Sequence, residues 1–312
     1  MSRLVLLTGA TGYVGARLLS QLVRQERLVR CLARWPENLH GRVPEGVEVV
    51  HGDACDAASL APALSGVEAA FYLVHALGTS GDAAEFDRRA ARAFGAAARA
   101  AGVGRIVYFG GFGPPAAAGA PRGRVDQDVG AALRASGVPV VELRASVIIG
   151  PGSLSFEMIR ALVERMPVIA APRWARMPVR PIFIGDVLAY LLAALDLPAN
   201  ESQTFAIGGR DVVSYAELMR EYARQRGLRI AAGVVAVGGA DEPREHGAFA
   251  QGQAAQVLVE VKARRGFDPG HGHGPILAQV DLVEIEGQDA VLAQAQLQIK
   301  GEGRFDELAA QG

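Results

Sequence analysis

Three glycines near the start of the chain, Gly9, Gly12 and Gly15, recur at the spacing G-x-x-G-x-x-G, a spacing suited to holding phosphates. Binding of that kind uses backbone more than side chains. Gly9 permits a tight turn, Gly12 lets a pyrophosphate approach, and Gly15 lets a helix pack closely on the strand before it. The N-terminus of that helix then offers unpaired N–H groups to the phosphates. Arg34 stands directly after the expected second strand, Leu28–Ala33. An acidic residue at this place would hold a ribose 2′-hydroxyl, whereas an arginine accommodates a 2′-phosphate. Arg34 therefore points to NADP(H) as the preferred dinucleotide, with NAD(H) admitted; the alternative is a solvent-facing loop arginine. Asp53, after Gly52, either reaches an adenine amino group or caps a turn. His75 follows the run at 69–74 and is the candidate proton donor, because imidazole titrates near neutrality; the alternative is a hydrogen-bonded structural histidine. Arg144 either binds a substrate carboxylate or phosphate, or pairs with Asp126 or Asp128. Arg173, Arg176 and Arg180 with Trp174 read as a solvated loop in preference to an anion clamp, and Tyr108 reads as core.

These residues need elements to place them. Residues 4–7 form a short, wholly apolar run, which suits a strand covered on both faces, and residues 14–23 carry apolar positions at helical spacing. Strands are expected at 28–33, 47–50, 69–74, 105–109 and 138–143. Helices are expected after 56 or 59, over 83–101 and over 125–135, and a Gly-Pro stretch follows Phe109. Strands alternating with helices argue for an α/β fold, a doubly wound parallel sheet with right-handed crossovers. Beyond Gly152 the texture changes. A helix over 156–165, a loop over 167–181, a strand at 181–184, a helix opened by Asp186, a strand at 204–207 and a helix over 215–226 behind Ser214 make a smaller substrate-side lobe. Ser214 with Glu217 has the form of a capping box. The expected divisions are 1–152, 153–229 and 230–312.

Composition bounds the function. The chain has 312 residues, half of them apolar, and a formal net charge of −1. That balance gives no footprint for nucleic acid or an anionic membrane. No apolar run reaches the roughly 18 residues of a membrane span, and the first strand begins too early to leave room for a signal peptide. Cys31 and Cys55 lack C-x-x-C spacing and read as reduced thiols of a cytoplasmic protein.

From Arg3 to about Gly227 the chain resembles the short-chain dehydrogenase/reductase superfamily, in TGATGYVG at 8–15, Gly52-Asp53, IVYFGG at 106–111, LRASVIIGPG at 143–152, PIFIGDV at 181–187 and FAIGG at 205–209. Within it, YLVHAL, DRRAARAF and ELRASVIIG are most similar to the atypical, NAD(P)H-binding branch that includes relatives of a respiratory complex I accessory subunit. The resemblance implies a Rossmann fold and extends the cofactor-binding set to Thr8, Thr11 and Tyr13. It also exposes a departure. The superfamily's proton transfer uses Ser, Tyr and Lys, often with Asn, yet the only lysines here are Lys262 and Lys300, and no tyrosine lies between Tyr108 and Tyr190. Residues 122–132, where Tyr-x-x-x-Lys belongs, read RGRVDQDVGAA; glycine stands where the Ser is usual, and no asparagine lies between Asn38 and Asn200. Two functions follow as expectations: an NADPH-dependent oxidoreductase acting on a small-molecule substrate without the usual catalytic set, or a non-catalytic NADPH-binding sensor or assembly module with a protein partner.

From about 230 the resemblance fades. The tail holds both lysines and three of the six histidines, and 256–262, 276–286 and 290–300 suit β-strands. His271 and His273 lack a third ligand at a convincing spacing, so no metal site is expected. The change of texture fits either a divergent C-terminal lobe or a shift of reading frame.

Overall fold

The computed structural model describes residues 4–75, 81–111, 121–165, 168–171, 173–176, 178–198, 201–228, 231–234, 256–263 and 278–285. The chain divides into two compact units, 1–254 and 255–312.

In the first unit β1 (Leu4–Thr8) leads into α1 (Tyr13–Arg24), whose Leu18, Leu19 and Leu22 are buried. β2 (Leu28–Ala33) and β3 (Glu48–His51) follow. α2 (Ala57–Leu64) starts at Asp56, whose carboxylate accepts from the Ala58 N–H. β4 (Ala69–Tyr72), α3 (Gly81–Ala100), β5 (Arg105–Gly111), α4 (Pro121–Arg134) and β6 (Val140–Ala145) continue the alternation. The smaller elements are β7 (Val147–Ile149), α5 (Leu154–Arg165), β8 (Val168–Ala171), β9 (Pro178–Val179), β10 (Pro181–Phe183), α6 (Ile184–Asp196), β11 (Gln203–Ile207), β12 (Val213–Ser214), α7 (Tyr215–Gln225) and β13 (Ala231–Val234).

Seven parallel strands form the central sheet in the order β11-β6-β5-β4-β1-β2-β3. The strand order reverses at β1, which lies between β2 and β4, and an open α/β sheet places its ligand outside the carboxyl ends of the strands at such a point. Alternate strand residues face opposite layers. Leu6, Ala70, Tyr72, Ile106, Tyr108 and Val140 share one buried cluster with Leu60 of α2, Phe94 of α3 and Val129 of α4. The opposite face is covered by α1 and α6, which pack on each other. Arg105 at the start of β5 donates to the carbonyls of Ala194 (2.8 Å), Leu195 and Leu197, so a cation satisfies the C-terminus of α6. Cys31 is buried, Cys55 is half-buried, and both are free thiols; burial pushes the Cys31 thiol up to about 12.

The smaller elements depart from expectation in one stretch. Residues 167–181, expected as a loop, contain β8, a 3₁₀ turn over Arg173–Arg176 and β9. The partners of these strands, β13 and β12, lie far along the chain, so no local pattern announces them. Asp186 does not open its helix: Phe183 holds the cap position, and Asp186 sits half-buried in the first turn, its carboxyl raised by that burial. The Ser214 capping box forms as expected, with Ser214 Oγ accepting from the Glu217 N–H (3.2 Å) and Glu217 Oε2 accepting from the Ser214 N–H (2.6 Å). α5 and α7 pack through Ile159, Val163, Met219 and Ala223.

In the second unit β14 (Gln256–Ala263) and β15 (Ala278–Ile285) pair antiparallel, near the expected positions. The strand expected at 290–300, and His271 and His273, lie outside the described residues.

Candidate dinucleotide site

β1 ends at Thr8, which is buried and ties the strand to its neighbour. Its hydroxyl donates to the Phe71 carbonyl (3.0 Å) and accepts from the Leu73 N–H (2.9 Å). The chain then turns at Gly9, whose φ of +71° favours glycine and where a Cβ would lie 2.6 Å from the Leu73 carbonyl oxygen. Gly12 donates its N–H to the Gly9 carbonyl (2.9 Å) and occupies the cap position of α1. A Cβ at Gly15 would lie 2.1 Å from that same carbonyl oxygen, so only glycine lets α1 come this close to the turn. The α1 N-terminus has no side-chain cap and no acidic residue in its first turn. Its N–H donors are thus left for a ligand, and a negative group there is favoured by the helix dipole.

All of this opens on a cleft of about 640 Å³, lined at the carboxyl ends of β1 to β6. Thr8, Gly9, Thr11, Gly12, Tyr13, Gly15, Arg34, Asp53 and His75 all line it; Arg144 does not. The Arg34 guanidinium lies 5.9 Å from the Phe86 ring centroid, and its neighbour Trp35 is 62% exposed on the cleft wall. Asp53 Oδ1 accepts from the Cys55 N–H (2.8 Å), the turn-capping geometry.

Tyr13 lines the cleft, and its ring lies against the 150–152 loop. The Arg17 guanidinium stacks 4.0 Å over that ring while donating to the Pro151 carbonyl (2.9 Å). The Tyr13 hydroxyl is buried with no hydrogen-bond partner among the described residues, and burial raises its pKa against the lowering effect of Arg17.

His75 Nε2 lies 2.9 Å from the Phe109 carbonyl oxygen. A carbonyl only accepts, so Nε2 carries a proton and donates it to Phe109. Arg144 Nε donates to Glu142 Oε1 (2.7 Å), while Asp128 pairs with Arg88 (3.1 Å); the side chain of Asp126 lies outside the described residues. Glu142, fully buried, also receives Arg134 and the Thr204 hydroxyl (3.3 Å). Tyr108 is buried in the core as expected, and Arg176 is exposed.

Sequence reasoning missed several cleft residues. Trp35 and Asn38 were within reach, since they follow Arg34; Phe86, Ser146, Ile148, Ser153, Leu154 and Ser155 arrive from distant elements with no local signal.

A glycine turn beneath an uncapped helix, at the strand-order reversal of a doubly wound sheet, is the phosphate-binding arrangement of a dinucleotide-binding Rossmann protein. Residues 9–155 match the NAD(P)H-binding family. The chain is 33% identical over 234 residues to a (4-alkanoyl-5-oxo-2,5-dihydrofuran-3-yl)methyl phosphate reductase of Streptomyces griseus, a match covering 72% of this chain and 74% of that protein. Among solved structures it resembles MoeE5 in complex with UDP-glucose and NAD (TM-score 0.62, 22% identity, 75% of this chain and 86% of that one). It also resembles a short-chain dehydrogenase/reductase superfamily protein from Agrobacterium tumefaciens with bound NAD (TM-score 0.60, 21% identity, 74% and 85%). The chain belongs to the atypical, NAD(P)-binding short-chain dehydrogenase/reductase family. Its cofactor is a nicotinamide dinucleotide. Among the described residues no helix is long and apolar enough to cross a membrane.

Proposed function

We propose that the protein is an NADPH-dependent reductase of a small carbonyl compound that works without the Ser-Tyr-Lys set. The observation that carries this reading is the cradle at Gly9, Gly12 and Gly15 with Arg34 on the same cleft. Gly9 to Gly15 and the first N–H groups of α1 hold the pyrophosphate, and Arg34 meets the 2′-phosphate. Asp53 shapes the adenine end. The dinucleotide, when bound, supplies a hydride to a carbonyl carbon and leaves oxidised. His75, whose ring the Phe109 carbonyl orients through Nε2, supplies the proton to the carbonyl oxygen. The name of the Streptomyces griseus relative, a reductase, favours a reductive direction.

A non-catalytic NADPH-binding module is the second reading. It is favoured by the missing lysine and tyrosine and by the hydrogen bond that gives His75 a structural task. The test is titration with NADPH and NADH, followed by cofactor fluorescence and by Tm. A ligand at 100 times its Kd stabilises the fold by about 2.7 kcal/mol, so NADPH should raise Tm well above the rise given by equimolar NADH. Equal shifts would remove the NADP preference, and no shift with either would sink the reading. With carbonyl substrates, His75→Ala should then lower kcat about 100-fold or more, whereas unchanged turnover removes it as the acid.

A further inference from the structure

The pyrophosphate, 2′-phosphate and adenine contacts proposed above use the part of the cleft over β1, β2 and β3, and the hydride-bearing ring must then reach His75 past the end of β4. The part over β4, β5 and β6 is lined by small and apolar groups, among them Phe109, Gly110, Ile148 and Leu154 with the hydroxyls of Ser146 and Ser155, and no arginine, lysine or carboxylate lines it among the described residues. Arg144, the residue expected from the sequence to bind a substrate anion, is held by Glu142 and does not line the cleft. Leu154 is the first residue of α5 and is 80% exposed; Met158, one turn later, is 38% exposed. The α5–α7 core consumes Ile159 and Val163 and leaves Leu154 and Met158 outside it. Scattered surface leucines need no explanation, but one that borders a cleft beside a second apolar side chain has a place to bury what it contacts.

The wall that carries Leu154 is held at three points. Arg17 donates to the Pro151 carbonyl (2.9 Å), Ser153 Oγ to the Ile148 carbonyl (2.6 Å), and the Gly152 N–H to Glu157 Oε1 (3.1 Å). That last donor, with Arg160, keeps the Glu157 carboxyl below its ordinary range and so ionised. A wall fixed in this way loses little entropy on binding.

We infer that this end of the cleft takes the aliphatic chain of an uncharged carbonyl substrate, and that Leu154 is the residue that sets its preference for chain length. The inference rests on the reductase reading. Each methylene that leaves water against an apolar wall gains about fourfold in affinity.

The experiment uses the full chain saturated with NADP+ and measures the Kd of the 2-alkanones from butanone to decanone by calorimetry, with NADPH oxidation followed in parallel. Affinity should rise about fourfold per methylene over several members of the series. Leu154→Asn, at an exposed site the fold tolerates, should flatten the rise to less than twofold, and Leu154→Met should restore it. Affinity that is independent of chain length in the wild type overturns the inference. So does an equal slope in Leu154→Asn, or a chain that binds NADP+ and no ketone of any length. Failure to bind NADP+ or NADPH at all overturns the reductase reading instead, and the same calorimetry reports it separately.

Discussion

In the proposed NADPH reading Arg34 meets the 2′-phosphate alone, since it is the one arginine or lysine among the described residues that line the cleft. A hydrogen bond to a charged group is worth about 1.5–3 kcal/mol. Arg34→Ala should therefore weaken NADPH binding about 10- to 100-fold and change NADH binding by less than about threefold. Trp35 gives this a direct optical measurement. The chain has two tryptophans, Trp35 and Trp174, so in a Trp174→Phe background the emission of the exposed Trp35 should respond to 2′,5′-ADP, a probe that carries the 2′-phosphate without nicotinamide. A response lost with Arg34→Ala would tie the two residues to one subsite, and no response in either protein would place the adenosine end elsewhere. Arg34 was readable because it directly follows a well-marked strand. The partner of Arg144 was not: Glu142 lies two residues away on the same strand and so on the same face, but only the packing of α4 over that face makes it the one buried carboxylate within reach.

Among the elements, the β1–turn–α1 unit bears the most demanding geometry. Gly15→Ala would drive a methyl group against the Gly9 carbonyl, 2.1 Å from its oxygen, and neither backbone segment can yield without opening the turn. The expected result is a loss of about 3 kcal/mol of stability and NADPH binding weakened at least tenfold, read from Tm and from cofactor fluorescence. A variant with wild-type affinity would show that the helix need not lie this close. This unit is local in sequence, and the apolar run, the glycines and the helical periodicity agree along Leu4–Arg24. The stretch from 167 to 181 shows the opposite case. β8 is four residues long and, among the described residues, gains its ladder from β13, residues 231–234. A strand that short carries too few alternations to be read without its partner.

Over the whole molecule, Glu142 joins parts that are far apart in sequence. Its carboxylate takes Arg134 from α4, Arg144 from its own strand and Thr204 from β11, and it presses on Gly130, where a Cβ would lie 2.6 Å from Glu142 Oε2. Removing one partner of such a buried cluster leaves the others uncompensated, at a cost of about 3–5 kcal/mol. Glu142→Gln should lower stability by that amount in urea or thermal unfolding, with NADPH affinity preserved because the group lies away from the cleft lining. A loss below about 1 kcal/mol would mean that water replaces the carboxylate at no cost.

The alternation of apolar strands with amphipathic helices, the dinucleotide turn and the absence of the Tyr-Lys pair are all written along the chain, because each depends on residues within one element or on plain inventory. The walls of the cleft are not. Phe86, Ser146 and Leu154 meet Arg34 and His75 only because the crossovers of a parallel sheet bring the carboxyl ends of six strands to one edge. The partner of His75 likewise waited on the fold, since its bond to Phe109 crosses from the end of β4 to the neighbouring β5. Local sequence selects the strands and helices through side-chain periodicity and backbone freedom. Which side chains share a cleft is settled by strand order and register, which depend on the burial of all the strands together.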